Sequence, residues 1–147
     1  MSRTLRAPGF VHLHVHSSFS LLEGALRIDD LKKQALKDRM PALALTDTNN
    51  LFGALEFSEK MAGAGIQPIA GIEMSVEWEE ERAPGRTVSV NEVRPTIVLL
   101  ACSDAGYAQL MKLASRAYLA APHGEGPHVS LAEMLAETDG LICLTGG

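Results

Sequence analysis

Apolar residues in this chain of 147 fall into short runs of two kinds, and the kinds alternate along the sequence. "GFVHLHV" reads as a strand, and "IDDLKKQALKDRM" as a helix with Asp29 available to cap it. "PALALTD" is a short apolar run bounded by Pro41 and polar residues, the mark of a buried strand. "NLFGALEFSEKMAGAG" places Leu51, Ala54, Leu55, Ser58, Met61 and Ala62 on one helical face and ends in glycines. "QPIAGIEMSVEW" reads as a strand, and "EEERAPGRTVSVNEVRP", charged and punctuated by Pro and Gly, as an exposed loop or loose hairpin. "TIVLLAC" is a further buried strand. The clearest helix is "DAGYAQLMKLASRAYLAA", with Tyr107, Leu110, Met111, Ala114, Ala117, Tyr118 and Ala121 at helical spacing. A loop, "PHGEGPH", a short helix begun by Ser130, "SLAEMLAE", and a last strand, "GLICLTGG", complete the order.

Strands alternating with helices predict an α/β fold with right-handed crossovers and a mainly parallel sheet, open or barrel-like. Such folds carry their reactive groups at the C-terminal strand ends. That edge would gather His14, His16, Asp47, Thr48, Glu73 and the glycines after the last strand. The sequence stops directly after a buried-looking strand, which predicts a piece of a longer protein.

Composition narrows the function classes. With 46% hydrophobic and 21% charged residues the chain is of ordinary globular type. Its formal charge of −5 argues against a main nucleic-acid grip, which needs a surplus of Lys and Arg. Cys102 and Cys143 sit inside apolar runs without metal-site spacing and read as small buried hydrophobes of a reducing compartment. No apolar stretch approaches the roughly 20 residues of a membrane span, and no signal-peptide core opens the chain, so the expected location is cytoplasmic.

The chemistry concentrates in "FVHLHVHSSFSLLEG", with His12, His14 and His16 at every second position. Residues two apart on a strand share a face and lie roughly 6.5–7 Å apart, so neighbouring imidazoles can reach one ion, at bond lengths of about 2.0–2.1 Å. The outer pair is too far apart to chelate easily. A strand whose histidines are simply hydrogen-bonded explains the run equally well. In "LTDTNN", Asp47 or Asn49 suffices as a cap of the following helix. Glu73 in "GIE" is a single carboxylate near a strand end, the acidic run "EWEEE" reads as a solvated loop, and His123 and His128 flank glycines in a flexible loop. No Gly-rich phosphate loop and no nucleophile elbow occurs.

Taken together, "HLHVHSSFSLLEGA", "PALALTDTNNLFGALEF", "GIQPIAGIE", "VLLACSDAGYAQLMKLASRAYL" and "GLICLTGG" resemble, in order and spacing, the PHP (polymerase and histidinol phosphatase) domain that opens bacterial DNA polymerase III alpha subunits. The resemblance runs from about Phe10 to Gly147. It implies a distorted (β/α)7 barrel, of which residues 1–147 form the N-terminal part. Metal-binding members hold a metal cluster that activates water for phosphoester hydrolysis. Carried over by position, the metal ligands fall on His14, His16, Glu23 and Glu73, whereas His12 stands where simpler members have an acidic residue. Three positions depart: Thr48 and Thr96 stand where the family has histidine, and Gly147 where some members have cysteine. Threonine is a poor ligand for zinc or manganese beside imidazole. The resemblance therefore implies a degraded site with no tightly bound Zn or Mn and no catalytic residue of its own. Magnesium would belong to a polymerase palm outside these residues. The implied parent is a DNA-directed DNA polymerase of DNA replication, with the remainder of the alpha subunit, a proofreading exonuclease subunit, the sliding clamp and DNA as partners, and no membrane. The segment itself would be an inactive docking domain. The alternative is a metal-dependent phosphoesterase, proofreading or of histidinol-phosphatase type.

Overall fold

The computed structural model describes residues 9–78, 94–136 and 138–145. Its elements are α1 (Ile28–Lys37), β1 (Ala42–Leu45), α2 (Ala54–Gly63), β2 (Gln67–Glu77), β3 (Thr96–Ala101), α3 (Asp104–Leu119), β4 (Val129–Ser130), α4 (Leu131–Leu135) and β5 (Leu141–Leu144). The strands form one sheet in the order β1-β2-β3-β5, with β4 pairing against β2 off that path.

The sheet is mixed, which corrects the expected run of parallel pairings. β1 and β4 lie parallel to β2, while β3 is antiparallel to both β2 and β5. Four strands thus share a direction and β3 alone is reversed. The antiparallel pairing of β3 with β2 is one that needs no crossover back across the sheet. Thr96 pairs beside Ser75, near the end at which β2 finishes.

The opening segment also differs from its expected strand: residues 9–16 form no ladder. The amide of Ala44 donates to the His12 carbonyl (3.0 Å) and that of Thr46 to the Val15 carbonyl (2.8 Å). Three steps on one side face two on the other, so the register slips. The amide of Val15 then finds the Thr46 hydroxyl, 2.9 Å away, in place of a backbone partner.

Residue alternation sorts the sheet into two faces. Leu43, Leu45, Ile72, Met74, Val76, Ile97 and Leu99 are buried against the helices. α1 and α2 supply Leu31, Ala35, Phe57 and Met61, and α3 supplies Leu110, Leu113 and Ala117. Each large side chain buried there contributes about 1.5–3 kcal/mol of hydrophobic stabilisation. The opposite face carries the smaller cluster of Ala44, Val98 and Leu100. Glu73 pairs with Val98, so its side chain points to this second face.

Several local expectations change. The N-cap of α1 is Arg27, with no side-chain bond, and Asp29 lies inside the first turn. The N-cap of α2 is Gly53, so neither Asp47 nor Asn49 caps it. Of the expected face of α2, Ala54 and Met61 are buried, but Phe57 joins them and Leu55 is exposed. In α3 the buried residues are Gly106, Leu110, Leu113 and Ala117, while Met111 and Tyr118 are exposed. Both cysteines are exposed as well. Cys102 ends the β3 run, and Cys143 lies on β5, whose only strand partner among the described residues is β3.

Candidate metal centre

Three stretches of chain meet on the second face of the sheet. The opening segment brings His14 and His16, the end of β1 brings Asp47 and Thr48, and the centre of β2 brings Glu73. Thr48 bridges to Glu73 in parallel fashion: the Glu73 amide donates to the Asp47 carbonyl (3.2 Å), and the Asn49 amide to the Glu73 carbonyl (2.7 Å). Asn49 reaches this turn with φ of 54°, in the left-handed region that Asn tolerates. Its side-chain amide exchanges two hydrogen bonds with Ser75 (2.8 and 2.9 Å), which fixes the turn against β2. Because β3 runs backwards, its first residue, Thr96, reaches the same site, where its hydroxyl donates to Glu73 Oε1 at 2.7 Å.

The donor atoms converge closely. The Nε2 atoms of His14 and His16 are 3.2 Å apart. His16 Nε2 lies 2.8 Å from Glu73 Oε2, and His14 Nε2 3.7 Å from Glu73 Oε1. Among the described residues, His14, His16 and Glu73 offer three ligand atoms within 4.8 Å of one another. Two nitrogens bound to one tetrahedral ion at about 2.0–2.1 Å would stand roughly 3.3 Å apart, so the observed pair is spaced as such an ion requires. Two imidazoles and one carboxylate suit a single ion of zinc or manganese type. The threonines do not extend the set. Thr96 spends its proton on Glu73, and the Thr48 hydroxyl, 3.4 Å from Glu73 Oε2, hydrogen-bonds the Glu23 carboxylate. Among the described residues the donor set therefore fits one ion and lacks the ligands of a cluster.

Glu23 stands apart from the three convergent residues. It is half-exposed, bonded to Thr48, with Oε2 3.9 Å from His16 Nδ1. At that distance it makes no hydrogen bond to the imidazole; its bonded partner is the Thr48 hydroxyl. His12 faces elsewhere, edge-on to Phe10 with ring centroids 4.7 Å apart. His123 is exposed, and His128 is buried, with Nδ1 2.8 Å from the Gly126 carbonyl. Its Nε2 lies 3.8 Å from Glu125, which also pairs with Arg94. Gly147 and Glu79–Glu81 of the acidic run lie outside the described residues.

Sequence reasoning missed the role of Asp47. Its carboxylate is 1% exposed and accepts from the Ser17 amide (2.7 Å), the Ser17 hydroxyl (2.7 Å) and the Ser20 hydroxyl (2.6 Å). The signal was present in "HSSFS", two hydroxyls three apart directly after the histidines, but their partner lies about thirty residues away.

Comparison with known proteins agrees with this architecture. The sequence profile of the PHP domain matches residues 12–147. The DNA polymerase III alpha subunit of Caulobacter vibrioides is 42% identical over 139 residues, covering 95% of this chain and 12% of the relative. The error-prone DNA polymerase of Symbiobacterium thermophilum is 41% identical, covering 93% of this chain and 13% of the relative. This chain thus spans about an eighth of the length of such relatives. Among solved structures, an amidohydrolase from Chromobacterium violaceum superposes with a TM-score of 0.50 at 28% identity, over 72% of this chain and 34% of the other. With most of its length matched by the family profile, and with identities near 40% to a bacterial DNA polymerase III alpha subunit and a bacterial error-prone DNA polymerase, the chain belongs to the PHP domain family.

Proposed function

We propose that this chain is the N-terminal PHP segment of a DNA-directed DNA polymerase of the alpha-subunit type. In this reading it serves DNA replication as a scaffold and docking domain with a reduced metal site. The observation that carries the proposal is the state of Glu73. Both carboxylate oxygens already have protein partners, Thr96 on one and His16 on the other. Where the family resemblance places histidines, Thr48 and Thr96 supply hydroxyls that satisfy carboxylates without binding an ion strongly. His14, His16 and Glu73 suffice for one ion, whereas the metal cluster that the family resemblance implies needs more ligands.

Exposed apolar side chains support the docking role. Phe52 and Leu55, at and near the start of α2, and Met111, Tyr118 and Leu119 on α3 are all exposed. Phe52, Met111 and Tyr118 line one groove, and exposed apolar side chains grouped in this way mark contact with other protein. The surrounding alpha subunit and a proofreading exonuclease are the partners this reading assigns.

A phosphoesterase is the competing reading, favoured by the 3.2 Å spacing of the two imidazole nitrogens beside Glu73. Elemental analysis after exhaustive dialysis separates the two. The scaffold reading expects well under one zinc or manganese per chain. One or more retained per chain, together with a manganese-dependent phosphoesterase activity that His14→Ala abolishes in a still-folded protein, would replace it.

A further inference from the structure

We infer that Asp47 is the positioning residue of the metal centre: its buried carboxylate sets where the His14–His16 segment stands against Glu73 and Thr48. This rests on the reading that the centre accepts a single divalent cation. The histidine segment has no strand ladder to hold it, since residues 9–16 share only two backbone bonds with β1 and its flank. Directly after His16, the chain is fastened by Ser17 through both its amide and its hydroxyl to Asp47, each at 2.7 Å. Ser20 adds a third bond at 2.6 Å, and its own hydroxyl oxygen accepts from the Thr48 amide at 3.1 Å.

The same residue holds the other arm. The Asp47 carbonyl accepts from the Glu73 amide, and Thr48, next in the chain, touches Glu23 and Glu73. One residue therefore ties the imidazole arm by its side chain and the carboxylate arm by its backbone. A carboxylate with 1% exposure is expensive to bury and persists here because three donors satisfy it. Packing alone would be served by an apolar residue. Three converging acceptor bonds are what a ligand segment without secondary structure needs, since a site loses affinity when its ligands drift by more than about 0.5 Å.

The test uses the intact chain, with Zn2+ as the probe, competed against a chromogenic chelator, and the imidazole 15N resonances of His14 and His16 as a second readout. Asp47→Ala should weaken Zn2+ binding by about 10–100-fold, the range for lost outer-sphere partners. It should move both imidazole signals while the amide resonances of Leu110 and Leu113 in α3 stay in place. Asp47→Asn keeps the oxygen that serves Ser17 N and Ser20, and should remain within about threefold of the parent protein. If Asp47→Ala does not fold, Ser20→Ala removes a single bond and should shift the same two readouts less far in the same direction. Unchanged imidazole signals and Zn2+ affinity in either folded variant would overturn the inference. Asp47→Asn as weak as Asp47→Ala would also overturn it, in favour of bare charge. Should the parent chain bind no Zn2+, the cation reading fails, and the imidazole signals alone decide the positioning role.

Discussion

Glu73 stands between two kinds of donor, and the balance between them governs the chemistry of the centre. His14 and His16 present lone pairs that an ion can use; Thr48 and Thr96 present protons that a carboxylate can use. Replacing both threonines, as Thr48→His with Thr96→His, exchanges protons for lone pairs at positions already facing Glu73. Zinc affinity should rise by at least about tenfold, roughly 1.4 kcal/mol, measured by competition titration. No change would mean that the side chains at 48 and 96 do not reach the ion. The alternation of His14 and His16 and the "GIE" of Glu73 were legible as candidate ligands because imidazole and carboxylate are rare in apolar runs. The service of Asp47 was not legible. An Asp after a strand reads as a cap, and only the folded chain brings Ser17 and Ser20 to it.

Helices and strands were legible to different depths. All four helices occur where apolar period and punctuation put them, yet the buried faces of α2 and α3 are rotated from the expected ones, being set by which residues pack on the sheet. Strand direction was hidden, because one reversed strand leaves the local pattern of β3 unchanged. Ser130 was read correctly as the start of α4, where it forms a reciprocal capping box with Glu133. The Ser130 amide, then the Ser130 hydroxyl, bond the Glu133 carboxylate at 2.9 and 3.0 Å and hold its pKa below the ordinary 4.5. A carboxyl lowered on folding adds stability that is fully present above its ordinary value. That part is lost as pH falls through the lowered one. Ser130→Ala should therefore cost about 0.5–2 kcal/mol at neutral pH, read by denaturant unfolding. The difference from the parent should narrow as the pH drops below about 4.5, leaving the loss of the bond from Glu133 N to Ser130 Oγ. A gap constant from pH 7 to pH 3 would show that the Ser130 hydroxyl gives the Glu133 carboxylate no support beyond that of the Ser130 amide.

At the scale of the whole molecule, the core and the centre occupy opposite faces of one sheet, so the two can be disturbed separately. Leu99 is 3% exposed, pairs beside Ile72 and Cys143, and belongs to the cluster that holds Leu110 and Leu113 of α3. Leu99→Ala should cost about 2–5 kcal/mol through lost transfer energy and the cavity left behind, out of a typical total of about 5–15. His14 is part-exposed and belongs to none of the core clusters, so His14→Ala should change stability by less than about 1 kcal/mol. In the full-length polypeptide that the proposed function requires, the two substitutions then give opposite patterns. Leu99→Ala should reduce thermal stability, primer extension and retention of the exonuclease together, because the proposed docking surface of α2 and α3 rests on the core it empties. His14→Ala should leave all three near the parent level. Primer extension and co-purification untouched by a Leu99→Ala substitution that measurably unfolds this domain would remove the scaffold role. Loss of a nuclease activity in His14→Ala alone would place the domain's work on the other face of the sheet.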